Sequence, residues 1–416
     1  MTQENAMRFR ASYFFLTSSL AICTASVSAG SNAPAPEIEP HSDTFIVQEA
    51  SDYAAAINPG LETSASQFRA FAPTTEPIRH RFDFEAWDWI LKNVVISMGP
   101  SERTRAPIQT AEVGTRIRQG HNSPYRLEGS MVIFNFLEGS AVDTFAEYRM
   151  DLERIASTLD IPSLPRNEQL AFWFNLHNAA MLEQLAREWP VRQPRHIEID
   201  GVPLDDAKIL TIRGIPMSLR DIRENIVFAN WRDPKVIYGF WRGEIGGPAL
   251  EREAFTGANV SSLLDIAAQD FVNSLRGTQR RGDRLVVSEL YEEVGRFYFP
   301  DFENDLRTHI GEYAGDEVGT ILQNTDIVQA SIREWDIADL TGGARPANYL
   351  FNGTVSNPIF NDRSGPSSRV PLTMWRYLQE RERKIERMIR RDQPTGYVIF
   401  SNIDLPGDPP NKNAVE

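Results

Sequence analysis

Glu168, Asn175 and Asn178 are the polar residues whose type and spacing could do chemistry. They lie in the segment 167–181, NEQLAFWFNLHNAAM, which reads as a helix that is apolar nearly all round. At about 100° per residue, Glu168 and Asn175 fall roughly 20° apart and Asn178 about 60° further round. A helix of this kind is normally buried, and a buried polar group costs free energy unless it is hydrogen-bonded. These groups therefore bind either structural partners or a ligand, with Glu168 a candidate acid or base.

The segment 238–248, YGFWRGEIGGP, combines an arginine and a glutamate with clustered glycines and aromatic residues. This composition predicts a tight loop whose exposed N–H groups could hold an anion or a carbonyl oxygen. The Arg242 guanidinium adds a fork of donors for a carboxylate. A turn in which the glycines only supply positive φ angles is the alternative, and the sequence leaves both open. The ligand-binding candidates are Tyr238, Arg242, Glu244, Gly246 and Gly247 in this loop, with Glu168, Asn175 and Asn178 on the helix.

Other kinds of site find no support in the residue pattern. His177 falls about 160° from Asn175 around the helix, which favours a packed, aromatic-like role for its ring. The histidines show no metal-ligand spacing and no His-Glu-x-x-His motif, so no metal site is predicted. No dinucleotide fingerprint, P-loop or Gly-x-Ser-x-Gly motif occurs either. Nucleotide binding and serine-hydrolase chemistry therefore lack support, and no cofactor is expected.

Apolar periodicity predicts the elements that must position these residues. Helical patterns cover 84–94, 140–159, 167–189, 218–228, 260–275, 288–297 and 373–391. Ser218 and Asp221 form a partial capping box at the start of one of them. Short strands are predicted at 196–199, 209–212 and 284–287. Together these elements predict an α+β fold, a predominantly helical single large domain with a small sheet of short strands.

Length and charge narrow the class of protein. The chain has 416 residues, of which 41 % are hydrophobic and 24 % charged, and its formal net charge is −14. It is long enough to bury a sizeable core. Because nucleic-acid binding depends on neutralising phosphates, this acidity argues against nucleic acid as a partner. After the N-terminal segment no run reaches about 18 apolar residues, so no integral membrane segment is expected in the processed protein.

The first 29 residues have the pattern of an export signal. Arg8 and Arg10 form a basic region, 11–24 is a short apolar stretch, and Val27-Ser28-Ala29 offers a cleavage site. We expect cleavage after Ala29 and a periplasmic or extracellular protein, with an uncleaved anchor as the alternative. Cys23, the single cysteine, would leave with the signal, so the mature protein would contain no thiol. Residues 30–80 are rich in Ala, Ser, Pro and Glu and are predicted to form a mostly disordered spacer.

Four segments, in this order, resemble the family called domain of unknown function 547 (DUF547). They are NEQLAFWFNLHNA at 167–179, MSLRDIRENI at 217–226, RDPKVIYGF at 232–240 and GGPAL at 246–250. The resemblance covers roughly residues 82–343 and implies a DUF547-like domain at 81–345. Many relatives carry a His and two cysteines where this chain has Ile237, Arg242 and Gly247, and a Tyr where it has His177. The resemblance therefore transfers no thiol chemistry to this chain.

Residues 346–416 are predicted to be a C-terminal extension with a long charged helix and a loose tail. The helix interleaves Glu with Arg and Lys at i, i+3 and i+4, for example Glu380 with Arg383 and Lys384. This spacing favours a solvated, self-paired helix over one that binds a membrane surface or a partner.

Two functions remain open on these residues. The absence of the family's His and Cys pair favours an exported, non-catalytic module that binds a small molecule or a protein. The alternative is a cysteine-independent hydrolase that uses Glu168 and the glycine-rich loop around Arg242.

Overall fold

The longer elements of the fold are helices. The computed structural model describes residues 66–74, 81–109, 120–137, 139–346, 349–351, 369–398 and 414–415. Its longer α-helices are α1 (Glu85–Val94), α2 (Ser140–Thr158), α3 (Arg166–Glu188), α4 (Val260–Val272), α5 (Glu289–Tyr298), α6 (Phe302–Tyr313), α7 (Asp316–Gln323) and α8 (Leu372–Arg390). A π-helix, Asp221–Val227, continues into a single α-turn, Phe228–Asn230, and 3-10 helices span Ser66–Phe71, Phe134–Phe136, Ile161–Ser163, Pro194–His196 and Pro234–Gly239.

The strands are short and form small sheets. They are β1 (Val95–Ser97), β2 (Ser130–Val132), β3 (Glu198–Ile199), β4 (Val202–Pro203), β5 (Leu210–Ile212), β6 (Ile215–Met217), β7 (Thr278–Arg281), β8 (Arg284–Ser288), β9 (Ile327–Ile332), β10 (Tyr349–Phe351) and β11 (Arg369–Pro371). The pairs β1–β2, β3–β4, β5–β6 and β10–β11 are two-stranded, and β7, β8 and β9 form a three-stranded sheet. The predicted α+β class, mainly helical with short strands, is confirmed.

Residue contacts divide the chain into two units. Residues 63–349 and 371–416 form the larger unit, and residues 1–62 and 350–370 form the second. In the second unit the structure describes only residues of the paired strands β10 and β11. The helices and the sheets that concern the candidate site all belong to the larger unit.

Helix α3 is the centre of the core, and every residue from 168 to 186 is buried. Pro165 immediately precedes the helix and Pro190 follows its end, since proline cannot occupy a helix interior without breaking it. Helix α2 packs along α3, and the α2 residue Arg149 donates to the buried Glu183 carboxylate. Polar groups on α3 must therefore find partners inside the protein.

The three-stranded sheet contains one parallel pair. Strands β7 and β8 form an antiparallel hairpin, and β9 runs parallel to β8. A parallel pair needs a long crossover, which helices α5, α6 and α7 supply. The sequence predicts β8 but not β9, because IVQASI lacks a clear alternation of apolar and polar residues. Since β8 and β9 are parallel, the segments that follow Ser288 and Ile332 leave the sheet at the same edge.

The segment predicted as a helix at 218–228 forms a π-helix instead of a regular α-helix over Asp221–Val227. The predicted capping arrangement is nevertheless present. Asp221 N donates to Ser218 Oγ at 3.1 Å, and Ser218 N donates to Asp221 Oδ2 at 2.7 Å. The wider turn has no sequence signature that distinguishes it from an α-helix, and such turns occur often at functional sites.

Part of the predicted spacer at 30–80 is ordered. Ser66–Phe71 forms a 3-10 helix with Phe68 and Phe71 buried, and the Phe71 ring packs edge-on against Trp173 of α3 at 5.5 Å. Two phenylalanines three residues apart share one face of such a helix, and they anchor a segment whose other residues are mostly exposed. Residues 30–65 and 75–80 of the predicted spacer, the predicted signal peptide at 1–29 and most of the predicted tail lie outside the described residues.

Helix α8 packs on the larger unit, so the expectation of a solvated, self-paired helix is wrong. Glu380 pairs with the buried Arg126 at 2.9 Å. Lys384 is 1 % exposed and donates to the carbonyl oxygens of Met98 at 2.9 Å and Leu127 at 2.8 Å. The apolar residues Met374, Tyr377, Leu378 and Met388 form the stripe that buries these charges. No helix in the described ranges is long and apolar enough to cross a membrane.

Candidate functional site

The two asparagines of α3 bind backbone groups of neighbouring segments. Asn175 Nδ2 donates to Phe255 O at 2.7 Å, and Asn175 Oδ1 accepts from Phe255 N at 3.1 Å. Asn178 Nδ2 donates to Gly239 O at 2.9 Å, and its Oδ1 accepts from Trp241 N at 3.0 Å. These amides are therefore structural, and they attach the loop that contains Arg242 to the central helix.

We expect Asn175→Leu to lower the free energy of unfolding by about 2–4 kcal/mol, because it leaves the N–H and C=O of Phe255 without partners in the core. Denaturant titration followed by circular dichroism measures the change. The control is Asn304→Leu on the exposed face of α6, which should change the free energy by less than about 0.5 kcal/mol. An unchanged midpoint for Asn175→Leu would show that its hydrogen bonds contribute nothing.

Glu168 lies at the first turn of α3, away from the Arg242 loop. Its Oε2 accepts from Phe82 N at 3.3 Å, and a Cβ on Gly257 would come within 2.2 Å of its Oε1. Burial raises the pKa of Glu168, although the Phe82 N–H and the charge of Arg81 oppose the shift. The shared helix face predicted for Glu168, Asn175 and Asn178 thus meets protein groups along its length.

His177 belongs to a buried polar chain that the sequence did not indicate. Its Nδ1 lies 3.0 Å from Asn178 Oδ1, and its Nε2 lies 3.0 Å from Arg223 Nη1. Arg223 Nη2 in turn donates to Asp205 Oδ2 at 2.5 Å. Burial and the Arg223 charge lower the pKa of His177 to about 3, so the neutral ring donates to Asn178 and accepts from Arg223. The predicted aromatic packing is also present, since the ring meets Phe240 edge-on at 4.9 Å.

Tyr238 is buried in the core. Its hydroxyl is buried and lies 3.0 Å from the Tyr291 hydroxyl and 2.8 Å from His309 Nε2. Burial raises the pKa of Tyr238 well above its usual value. Tyr238 lies in the core and not in the lining of the groove described below, because the residue falls in a 3-10 helix that turns it inward.

Arg242 lines an open groove at the carboxyl ends of β8 and β9. The groove contains about 350 Å³ of empty space, part of which is open solvent. Four segments form it: the loop that carries Arg242, the first turn of α5 after β8, the chain that follows β9, and the 3-10 helix Pro194–His196. Its lining residues are Arg195, Arg242, Glu244, Gly246, Gly247, Pro248, Ser288, Glu289, Leu290, Glu293, Ile332, Arg333, Glu334 and Trp335. A crevice beyond the carboxyl ends of parallel strands is a common place for a ligand in α/β sheets.

The N–H groups of Gly246 and Gly247 are paired within the protein and are not free to bind an anion. Gly246 N donates to Glu334 O at 2.9 Å, and Gly247 N donates to Glu244 O at 3.3 Å. Ile245 N donates to Asp336 O at 2.9 Å. The loop thus pairs with the chain that follows β9, and a Cβ on Gly246 would lie 2.5 Å from Glu334 O. Gly246 is needed for this close approach, which forms one wall of the groove.

Three arginines of the groove are each paired with a glutamate. Arg195 donates to both carboxylate oxygens of Glu244, at 2.7 and 3.0 Å. Arg242 pairs with Glu293, and Arg333 pairs with Glu289. The Arg195 guanidinium also lies 4.1 Å from the centre of the Trp335 ring. The groove therefore presents positive and negative groups side by side along an aromatic surface.

Two carboxylates of the groove, those of Glu244 and Glu334, are partly withdrawn from water. Burial raises the pKa of Glu244, although its ion pair with Arg195 opposes the shift. Burial also raises the pKa of Glu334. Counting Glu334, the groove holds four glutamates and three arginines, so it does not favour a purely anionic ligand.

The sequence predicts four lining residues, Arg242, Glu244, Gly246 and Gly247, and the structure brings these together. It does not bring Glu168, Asn175, Asn178 or Tyr238 to the groove. The arginines and glutamates from other segments, and Trp335, carried no sequence signal of a site because they lie far apart in the chain and follow no motif.

Comparison with known proteins identifies one family. Residues 161–272 match the model of the family described as "Protein of unknown function, DUF547". The match includes α3, the π-helix and the Arg242 loop, and it ends with α4. No curated protein and no solved structure matches the chain. Within the described residues, no cluster of three or more His, Cys, Asp or Glu side chains could hold a metal ion.

Proposed function

The chain belongs to the DUF547 family, and we propose that it is an exported binding protein whose groove around Arg242 holds a small ligand with both a carboxylate and an amino group. The observation that carries this proposal is the Arg242 guanidinium. Its Nε is buried and has no hydrogen-bond partner, while its Nη1 pairs with Glu293 at the groove. A ligand carboxylate that takes the place of Glu293 could accept two parallel hydrogen bonds from the guanidinium, the bidentate geometry that arginine offers best.

The ion pairs of the groove can exchange partners with such a ligand. The side chains of Glu293, Arg195 and Arg333 are 45 %, 37 % and 58 % exposed. Each pair has one partly exposed member, and screening by solvent makes such pairs weaker than fully buried ones. Because the Glu293 side chain is partly exposed, a ligand carboxylate could replace it at Arg242, and the released glutamate could accept from the ligand amino group.

Apolar contacts favour amino acids and short peptides within this class. Leu290 and Ile332 are buried at the groove, and Pro248 and Trp335 lie beside them in the lining. They offer a surface for an apolar or aromatic side chain next to the charged groups. Glu168 is not among the lining residues, so the geometry supports binding without a contribution from that carboxylate.

A panel of zwitterions tests the proposed ligand class. Thermal unfolding of the mature protein would be measured with free amino acids and dipeptides, and with the same dipeptides acetylated at the amino end or amidated at the carboxyl end. At concentrations about a hundredfold above Kd, the matching zwitterions should raise Tm by roughly 5 °C. Either blocked form should raise it less. A panel in which no compound raises Tm, or in which blocked and free ends act alike, would contradict the proposal.

Export is the second part of the proposal and has its own test. The basic residues, the short apolar stretch and the Val-Ser-Ala site support cleavage by a signal peptidase after Ala29. N-terminal sequencing of protein recovered outside the inner membrane should begin at Gly30. Recovery of the full-length chain in the membrane fraction alone would reject cleavage.

A further inference from the structure

Asp339 presents a buried carboxylate oxygen without a partner. The residue is 0 % exposed. Its Oδ2 accepts from Trp189 Nε1 at 3.1 Å, Thr341 Oγ1 at 2.6 Å and Gly343 N at 2.8 Å, whereas its Oδ1 is buried and accepts from no group. Among the described residues no arginine, lysine or histidine forms an ion pair with it. A buried charge in this state is costly unless something compensates it.

Three more buried oxygens also have no partner: Thr373 Oγ1, Tyr377 Oη and Gln109 Oε1. Thr373 and Tyr377 are four residues apart on α8 and so share one face of that helix. A Cβ on Gly120 would lie 3.6 Å from Thr373 Cβ and 3.8 Å from Gln109 Oε1. The segment at Gly120 therefore adjoins both Gln109 and the start of α8.

Gly342 connects this cluster to Asp339. Its N–H donates to Asp339 O at 3.1 Å, and a Cβ on it would lie 3.0 Å from the Gly120 carbonyl carbon. The Asp339 charge also contributes to the raised pKa of Tyr377, after burial, which is the largest cause. Gln109, Thr373 and the 339–343 turn therefore each adjoin the segment at Gly120, and Tyr377 follows Thr373 by one turn of α8.

We propose that Asp339, Gln109, Thr373 and Tyr377 bind a monovalent alkali cation, Na⁺ or K⁺. All four offered atoms are oxygens, which hard cations prefer. One carboxylate and three neutral oxygens balance one positive charge. A water molecule would satisfy the hydrogen bonds but would leave the Asp339 charge uncompensated.

Two described residues near Asp339, His121 and Arg126, do not supply this charge. The neighbouring His121 donates through Nε2 to Ile337 O at 2.5 Å, and burial lowers its pKa so that the ring is neutral. Arg126 is engaged with Glu380 through two hydrogen bonds. The cation joins α8 to the 339–343 turn, and the docking of the C-terminal helix therefore depends on it.

Thermal unfolding of the full chain in different chloride salts tests the site. At equal ionic strength, KCl or NaCl should give a Tm several degrees above that in tetramethylammonium chloride, whose cation is too large to enter. Asp339→Asn should remove this difference between salts, and the exposed Asp160→Asn should keep it. If Asp339→Asn does not fold, Tyr377→Phe, which deletes one oxygen, should reduce the difference. Equal Tm values in all three salts for the wild type would overturn the proposal.

Crystals grown in rubidium chloride test the position of the proposed cation directly. Rubidium replaces potassium and scatters anomalously, so an anomalous peak within coordination distance of Asp339 Oδ1 and Tyr377 Oη is expected. A peak-free site that contains only a water molecule would overturn the proposal. Neither experiment involves the Arg242 groove, so each outcome is independent of the proposed ligand.

Discussion

Gly246→Ala should lower the free energy of unfolding by about 2–3 kcal/mol and abolish ligand binding in the groove. The new Cβ would lie 2.5 Å from Glu334 O, a backbone atom that cannot move without displacing the chain that follows β9. Overpacking of this kind typically costs about 1–3 kcal/mol. It would also break the hydrogen bond from Gly246 N to Glu334 O, so the two walls of the groove would separate.

The adjacent glycine provides the matched control. A Cβ on Gly247 would meet its nearest atom, Glu244 O, at 3.6 Å, an ordinary contact. Gly247→Ala should therefore be neutral or stabilising by roughly 0.5 kcal/mol, through the reduced entropy of the unfolded chain. Denaturant titration of both variants measures the pair. Equal midpoints for the two would show that the loop does not pack against Glu334 as described.

The second large effect is the loss of stability in acid caused by His177. The pKa of this histidine falls from 6.5 to about 3 in the folded protein, first through burial and then through Arg223. Between these values the unfolded chain binds a proton that the folded protein does not, so stability decreases as pH falls. At 1.36 kcal/mol per pH unit, the decrease between pH 6.5 and pH 4 is about 3 kcal/mol.

His177→Gln isolates this contribution, because glutamine can keep hydrogen bonds to Asn178 and Arg223 but does not titrate. Burial raises the pKa of carboxylates such as Glu244 and Glu334, and these groups make the folded protein more stable as pH falls. Their contribution is the same in the variant and in the wild type. The variant should be less stable than the wild type at pH 7 but should lose less stability between pH 6.5 and pH 4. The exposed His196→Gln should follow the wild type. Parallel stability curves for His177→Gln and the wild type would contradict a buried, neutral His177.

Long periodic patterns made much of the fold predictable. The predicted bounds of helices α2, α3 and α8 agree with those in the structure within a few residues. Each of these helices carries apolar residues over many turns and ends at a proline or a charged turn. The 81–345 domain limits remain a prediction, and the family match itself covers residues 161–272. Strand β9 was missed because its stability comes from pairing with β8 and not from its own alternation. The burial of Lys384 was missed for a similar reason, since the carbonyl groups that accept from it come from distant segments.

The candidate site was only half predictable. Local composition indicated that Arg242, Glu244 and the two glycines share a loop. It could not show that the glycine N–H groups would be used by the chain after β9, because that pairing joins residues about 90 positions apart. Burial alone predicts that Asn175 and Asn178 bind either protein groups or a ligand. The sequence could not show that their partners are backbone groups. Arg195, Arg333 and Trp335 reach the groove through tertiary structure and have no local signature.

Titration calorimetry of Arg242 variants with a zwitterion that stabilises the wild type tests the proposed function most directly. We predict that Arg242→Ala weakens binding by about 100-fold or more, the effect of losing a charge-assisted bidentate contact, while its circular dichroism spectrum matches the wild type. Arg242→Lys should recover binding in part, because it keeps the charge but not the fork. Arg154→Ala, at an exposed arginine of α2 paired with Asp151, should bind as the wild type does. Wild-type affinity in Arg242→Ala would contradict the assignment of the groove as the ligand site.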